Sequence, residues 1–136
     1  MTIIRAGDAV LVMRRPADDY LYPNSWTIPG GYLDAGELPV TAAAREIAEE
    51  TGLFIKPEAL FGGEPVMSDR LAAFCFIAHI GTPQTLHMSE HDAYRFIHLA
   101  DVPRLELTRE ARLILERYLA VSEPVPRYLS EMSGAS

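Results

Sequence analysis

The chain has 136 residues, 49% hydrophobic, with one cysteine and a formal net charge of −7. That length suits one globular domain with a sizeable core, no apolar run is long enough to span a bilayer, and the acidic balance argues against general binding to nucleic-acid polymers. A lone cysteine excludes an internal disulfide and, with no charged-then-apolar leader, fits a reducing cytoplasm.

Residues 2–5 and 9–14 read as two strands around an Ala-Gly-Asp turn, with Val10 and Val12 alternating against Leu11 and Met13. Arg14 and Arg15 follow on opposite faces, so at most one reaches a phosphate, and Arg14 is the candidate. Residues 16–25 form a loop rich in tyrosine, proline and polar residues. Tyr20, Tyr22, Trp26 and Tyr32 lie around the next motif; Trp26 and Tyr32 are candidates to stack on a base, with packing an equal use.

Trp26-Thr27-Ile28-Pro29-Gly30-Gly31 ends in a glycine pair that lets backbone approach a ligand closely. Residues 31–53, GYLDAGELPVTAAAREIAEETGL, set Gly31, Glu37, Arg45, Glu46, Glu49, Glu50 and Gly52 in register. Pro39 suits a first helical turn and Gly52 a helix end. On that helix Glu46, Glu49 and Glu50 stand at i, i+3 and i+4 on one face. Ala44, Ile47, Ala48 and Thr51 fall roughly opposite as the packing surface. Like charges at this spacing repel, and a divalent cation offsets that repulsion; oxygen-only ligands suit Mg²⁺ or Mn²⁺. Arg45, four residues before Glu49, could orient a carboxylate, and Glu37 could accept from Arg45. A solvated acidic face is the ordinary use of such a cluster, and the complete register argues against it here.

Further along, residues 59–67 are a broken, glycine-containing strand candidate. Residues 71–80 (LAAFCFIAHI) are the strongest strand, apolar on both faces and so central. Cys75 within them reads as a buried, inert thiol. Glu90 and His91 precede a strand at 94–99, and Glu90 could add a metal ligand or act as general base. Thr108 is an N-cap for a second helix with Ala111, Leu115, Tyr118 and Leu119 on one stripe. Residues 122–136 form a tail apart from a domain at 1–121.

The register of residues 31–53 resembles the Nudix box, G-x5-E-x7-R-E-U-x-E-E-x-G-U with U apolar, at every fixed position. The Glu90-His91-x-x-Tyr94-Arg95-Phe96 stretch is similar to one found in many members, with Phe96 where tryptophan is common. The resemblance implies an α+β fold, an α/β/α sandwich with a mixed sheet between helices. The chain begins so near its first strand that this edge of the sheet is expected to be short. The resemblance also implies a MutT-like pyrophosphohydrolase that uses Mg²⁺ or Mn²⁺ to cleave phosphoric anhydrides in a nucleoside diphosphate linked to a group X. Its ligands and catalytic groups would be Glu46, Glu49 and Glu50, with Glu90 and a carbonyl of Gly30 or Gly31, and the Glu37–Arg45 pair would support them. The substrate would be a small nucleotide, with a homodimer left open. Two enzyme alternatives are hydrolysis of a nucleotide sugar by attack at carbon and hydrolysis of a dinucleoside polyphosphate. Another is a catalytically silent nucleotide-binding domain. Isomerases of this fold use a cysteine, but nothing polar flanks Cys75 to activate it.

Overall fold

A computed structural model describes residues 1–69, 71–88, 91 and 93–121. Strands β1 (Thr2–Ala6) and β2 (Ala9–Arg14) form the expected hairpin, turning at Gly7, whose φ of 60° suits glycine. Strand β2 is the spine of a six-stranded mixed sheet. Along one edge it pairs antiparallel with β1 and then with β3 (Trp26–Thr27); along the other it meets β8 (Ala93–His98) over its whole length. Strand β1 runs parallel to β7 (Phe76–Ile80), and β7 pairs antiparallel with β4 (Glu58–Ala59). Strands β5 (Val66–Met67) and β6 (Ala72–Ala73) make a separate short ribbon.

The period-two alternation sorts the core onto both faces of the sheet. Ile3, Val10 and Val12 pack with Ala111, Ile114 and Leu115 of α2 (Arg109–Val121). Ile4, Leu11 and Met13 pack with Ile47 of α1 (Pro39–Thr51) on the other side. All ten are fully buried, worth about 1.5–3 kcal/mol for each large side chain. The result is the α/β/α sandwich. Thr108 caps α2 as expected, its hydroxyl accepting from the Ala111 amide at 3.4 Å.

Two local expectations are corrected. Strand β1 lies inside the sheet instead of forming a short edge, because the parallel ladder from Thr2↔Phe76 to Ala6↔Ile80 covers its free side. The apolar run at 71–80 splits into β6 and β7. At the break, the Phe74 carbonyl accepts from the Met1 amine (2.8 Å) and the Cys75 carbonyl from the Leu60 amide (2.9 Å). Residues 59–67 are broken, as expected, among the end of β4, a 3-10 turn at Phe61–Gly63, and β5. The tail at 122–136 lies outside the described residues.

Candidate active site

Helix α1 starts after Leu38, which provides no side-chain cap, and stops at Gly52, whose left-handed φ of 77° directs its amide to the Ala48 carbonyl (3.0 Å). The buried residues are Ala42, Ala43, Ile47, Glu50 and Thr51. The packing surface therefore differs from the expected one. Ile47 and Thr51 belong to it, but Ala44 and Ala48 are only half-buried, and Ala43 and Glu50 turn inward instead. This rotation gives the three carboxylates unequal surroundings. Glu50 is 3% exposed and accepts from the Gly30 amide at 3.3 Å. The side chain of Glu46 is 15% exposed, whereas that of Glu49 is 57% exposed.

Gly30 and Gly31 are required by close approach. A Cβ at Gly31 would lie 2.4 Å from both Cδ and Oε1 of Glu46; one at Gly30 would lie 2.7 Å from Cγ of Met1. The Glu46 carboxylate thus rests on bare backbone.

Arg45 ties the helix to the preceding loop. Its Nε and Nη2 donate to the two oxygens of Glu37, each at 2.8 Å, in the bidentate geometry that makes such pairs strong. Its Nη1 donates to Glu46 at 2.9 Å and to Glu49 at 3.3 Å, so a guanidinium already offsets part of their mutual repulsion. Nη2 also reaches the Tyr32 carbonyl at 3.2 Å. Hydrogen bonds from Arg45, then from the Asp34 amide, pull the Glu37 carboxyl down to about 2, and Glu37 in turn holds Arg45 charged.

Among the described residues, no three His, Cys, Asp or Glu side chains are already gathered as a metal cage. The donor chemistry nevertheless fits a hard divalent cation. Glu46 and Glu50 converge on the Gly30–Gly31 backbone, and carboxylate and carbonyl oxygens are the donors they offer. Glu90 lies outside the described residues.

Of the three carboxylates, Glu46 lines a cleft of about 640 Å³. Pro39, Ala42, Ala43 and Glu46 form one wall, a stripe at helical spacing, and the Thr27–Gly31 backbone runs beside it. Tyr32 lines the cleft and is 82% exposed. Trp26 is not free to stack on a base. It is 9% exposed in the α2-side core, with the guanidiniums of Arg14 and Arg95 over its ring at 6.0 and 5.1 Å. Arg14 is thereby drawn to the Trp26 side, and Arg15 lines the cleft instead. Strand parity carried that signal, since Arg14 shares a face with Val10 and Val12. Asp19 accepts from Arg15 and from the amides of Leu21 (3.1 Å) and Tyr22 (2.8 Å), which fixes the 16–25 loop against the cleft. Cys75 is 3% exposed, and burial pushes its thiol pKa up.

The sequence reading missed Phe74, Thr108 and Glu110 as cleft residues. Distant elements bring them there, and no local pattern marks them.

A family model described as NUDIX domain matches residues 1–118. An uncharacterized Nudix hydrolase, YvcI of Bacillus subtilis, is 26% identical over 113 residues, covering 77% of this chain and 68% of the relative. RNA pyrophosphohydrolase of Agrobacterium fabrum is 30% identical over 122 residues, covering 72% and 71%. Other relatives are matched over well under two thirds of their own length, a MutT-like protein of Streptomyces ambofaciens over 36%. Among solved structures, the MutT protein of Methanosarcina mazei superposes with a TM-score of 0.74 at 22% identity, covering 90% of this chain and 92% of that one.

Proposed function

Since this chain belongs to the NUDIX domain family and is a Nudix hydrolase, we propose that it cleaves a phosphoric anhydride in a nucleoside diphosphate linked to X, a nucleoside triphosphate or a related small nucleotide, through attack of water at phosphorus. One observation carries the reading: the Glu46 carboxylate, seated on Gly31, opens directly onto the cleft. Glu46, Glu49 and Glu50, with a carbonyl of the Gly30–Gly31 pair, would hold Mg²⁺ or Mn²⁺. When bound, the ion supplies neutralisation of phosphate oxygens and a more acidic water.

The chain's own residues supply position. Arg45 restrains Glu46 and Glu49 through its own fixed bonds to Glu37, so the carboxylates need little reorganisation during reaction. The small side chains of Ala42 and Ala43 leave room for a phosphate chain beside Glu46. A carboxylate, from α1 or Glu90, accepts the proton of the attacking water. Phosphoryl transfer asks mainly for placement and charge, and no covalent nucleophile is needed. The relative named RNA pyrophosphohydrolase supports anhydride chemistry, while the net charge of −7 favours a small nucleotide over a polymer. The single buried cysteine is consistent with a cytoplasmic setting. Among the described residues no helix is long and apolar enough to cross a membrane.

Glu46→Gln and Glu50→Gln should each lower kcat by about a hundredfold or more at saturating Mg²⁺, with circular dichroism unchanged. Hydrolysis in ¹⁸O-water should label a phosphate-bearing product. Label in a released sugar would replace this reading with attack at carbon, and near-normal turnover in both folded variants would remove the assigned carboxylates from the reaction.

A further inference from the structure

One guanidinium sets both the Glu46 carboxylate and the backbone that carries Tyr32. Arg45 Nη1 donates to Glu46 at 2.9 Å, and Nη2 donates to the Tyr32 carbonyl at 3.2 Å. The turn that follows is closed by the Asp34 amide donating to Glu37 and the Glu37 amide donating to the Asp34 carbonyl, each at 3.0 Å. A Cβ on Gly31 would stand 2.4 Å from the Glu46 carboxyl carbon. One bond back, and about 3.8 Å on to the next Cα, the Tyr32 backbone lies within about 8 Å of that carbon.

Phe74 reaches the glycine pair through Met1. Its carbonyl accepts from the Met1 amine at 2.8 Å, and the Met1 Cα would lie 3.1 Å from a Cβ on Gly30. Tyr32 and Phe74 both line the cleft, both are exposed, and among the described residues neither ring stacks on another. Exposed rings are ordinary on a protein surface. These two stand on hydrogen-bonded backbone close to Gly30 and Glu46, so covering them costs little further ordering. A diphosphate resting on Glu46 therefore has an aromatic platform within reach of each end.

The polar groups on offer select against a sugar at either end. Sugar hydroxyls are read by carboxylates and amides, which accept and donate side by side. Among the described residues, the Asp, Glu, Asn and Gln side chains lining the cleft are two. Glu46 is committed to the cation in the proposed reaction, and Glu110 stands at the start of α2. A flat ring needs no such partner, because it offers its π-face whatever its edge carries.

We infer that X bears a second aromatic ring, and that Tyr32 and Phe74 each stack on one of the substrate's two rings. The substrates are then dinucleotide-like diphosphates and not nucleotide sugars. This rests on the proposed hydrolysis and deepens it by naming X.

The test holds one nucleoside diphosphate constant and changes only X. ADP-ribose carries one ring; diadenosine diphosphate and NADH carry two. Measured with Mg²⁺ are kcat/KM for these compounds and calorimetric Kd for their uncleavable methylene-bridged analogues, in wild type, Tyr32→Phe, Tyr32→Ala and Phe74→Leu, each checked by circular dichroism. Wild type and Tyr32→Phe should favour the two-ring compounds by about tenfold or more in both series. Tyr32→Ala and Phe74→Leu each leave one platform, on which every compound places a single ring, so the ratio should fall to about one. Equal values for the three compounds in wild type, or a ratio untouched by Tyr32→Ala, would overturn the inference. A ring-dependent Kd without turnover would reject the hydrolase reading and leave the two-ring reading standing.

Discussion

At the scale of single residues, the site depends on what is missing from one of them. Gly31 has no side chain, and the space a Cβ would take is filled by the Glu46 carboxylate at 2.4 Å. Its backbone is not left-handed, so alanine fits the local conformation. Gly31→Ala should therefore fold normally while displacing Glu46. A displacement of about an ångström in a catalytic group costs on the order of a hundredfold. Steady-state kinetics beside thermal denaturation will separate the two effects, and unchanged kcat in the folded variant would sink the argument. The motif register marked Gly31 for close approach. It could not mark Glu50 as the most buried of the three α1 glutamates, because helical spacing fixes which side chains share a face but not how the helix rolls on its sheet.

At the scale of elements, the Glu37–Arg45 pair joins the loop before α1 to the helix itself, through two bonds of 2.8 Å. Glu37 titrates near 2 in the folded chain against 4.5 unperturbed. Its pKa is lowered, so its contribution to stability is complete above 4.5 and fades as pH falls toward 2. Melting temperatures of wild type and Glu37→Gln should differ by a constant amount near neutrality, and the gap should narrow once pH drops below 4.5. A gap that stays constant down to about pH 3 would show that the pair does not link folding to protonation in this way. Both partners were legible in sequence, eight residues apart on a loop and a helix. The division of the 71–80 run was not. Its apolar residues fit one long strand, and only tertiary bonds from Met1 and Leu60 at Phe74 and Cys75 decide where pairing changes.

For the whole molecule, the family resemblance of residues 31–53 implied a sheet between helices, and α1 and α2 cover its two faces. The cleft was only half legible. Its α1 wall follows from one contiguous motif, while Arg15, Phe74 and Glu110 come from three separate stretches that the sheet order brings together. That asymmetry should be visible in the rates at which backbone amides trade hydrogen for deuterium. Strand β2 has both edges paired and four fully buried residues, so its amides should open only with global unfolding. The β5–β6 ribbon has two residue pairs and lies off the main sheet, and its amides should exchange orders of magnitude sooner. If both exchanged at one rate, the molecule would be a single cooperative unit. If they separate, the wall carrying Leu71 and Phe74 can yield to a ligand while β2 and the helices it supports stay closed, and substrate entry costs only a fraction of the folding free energy.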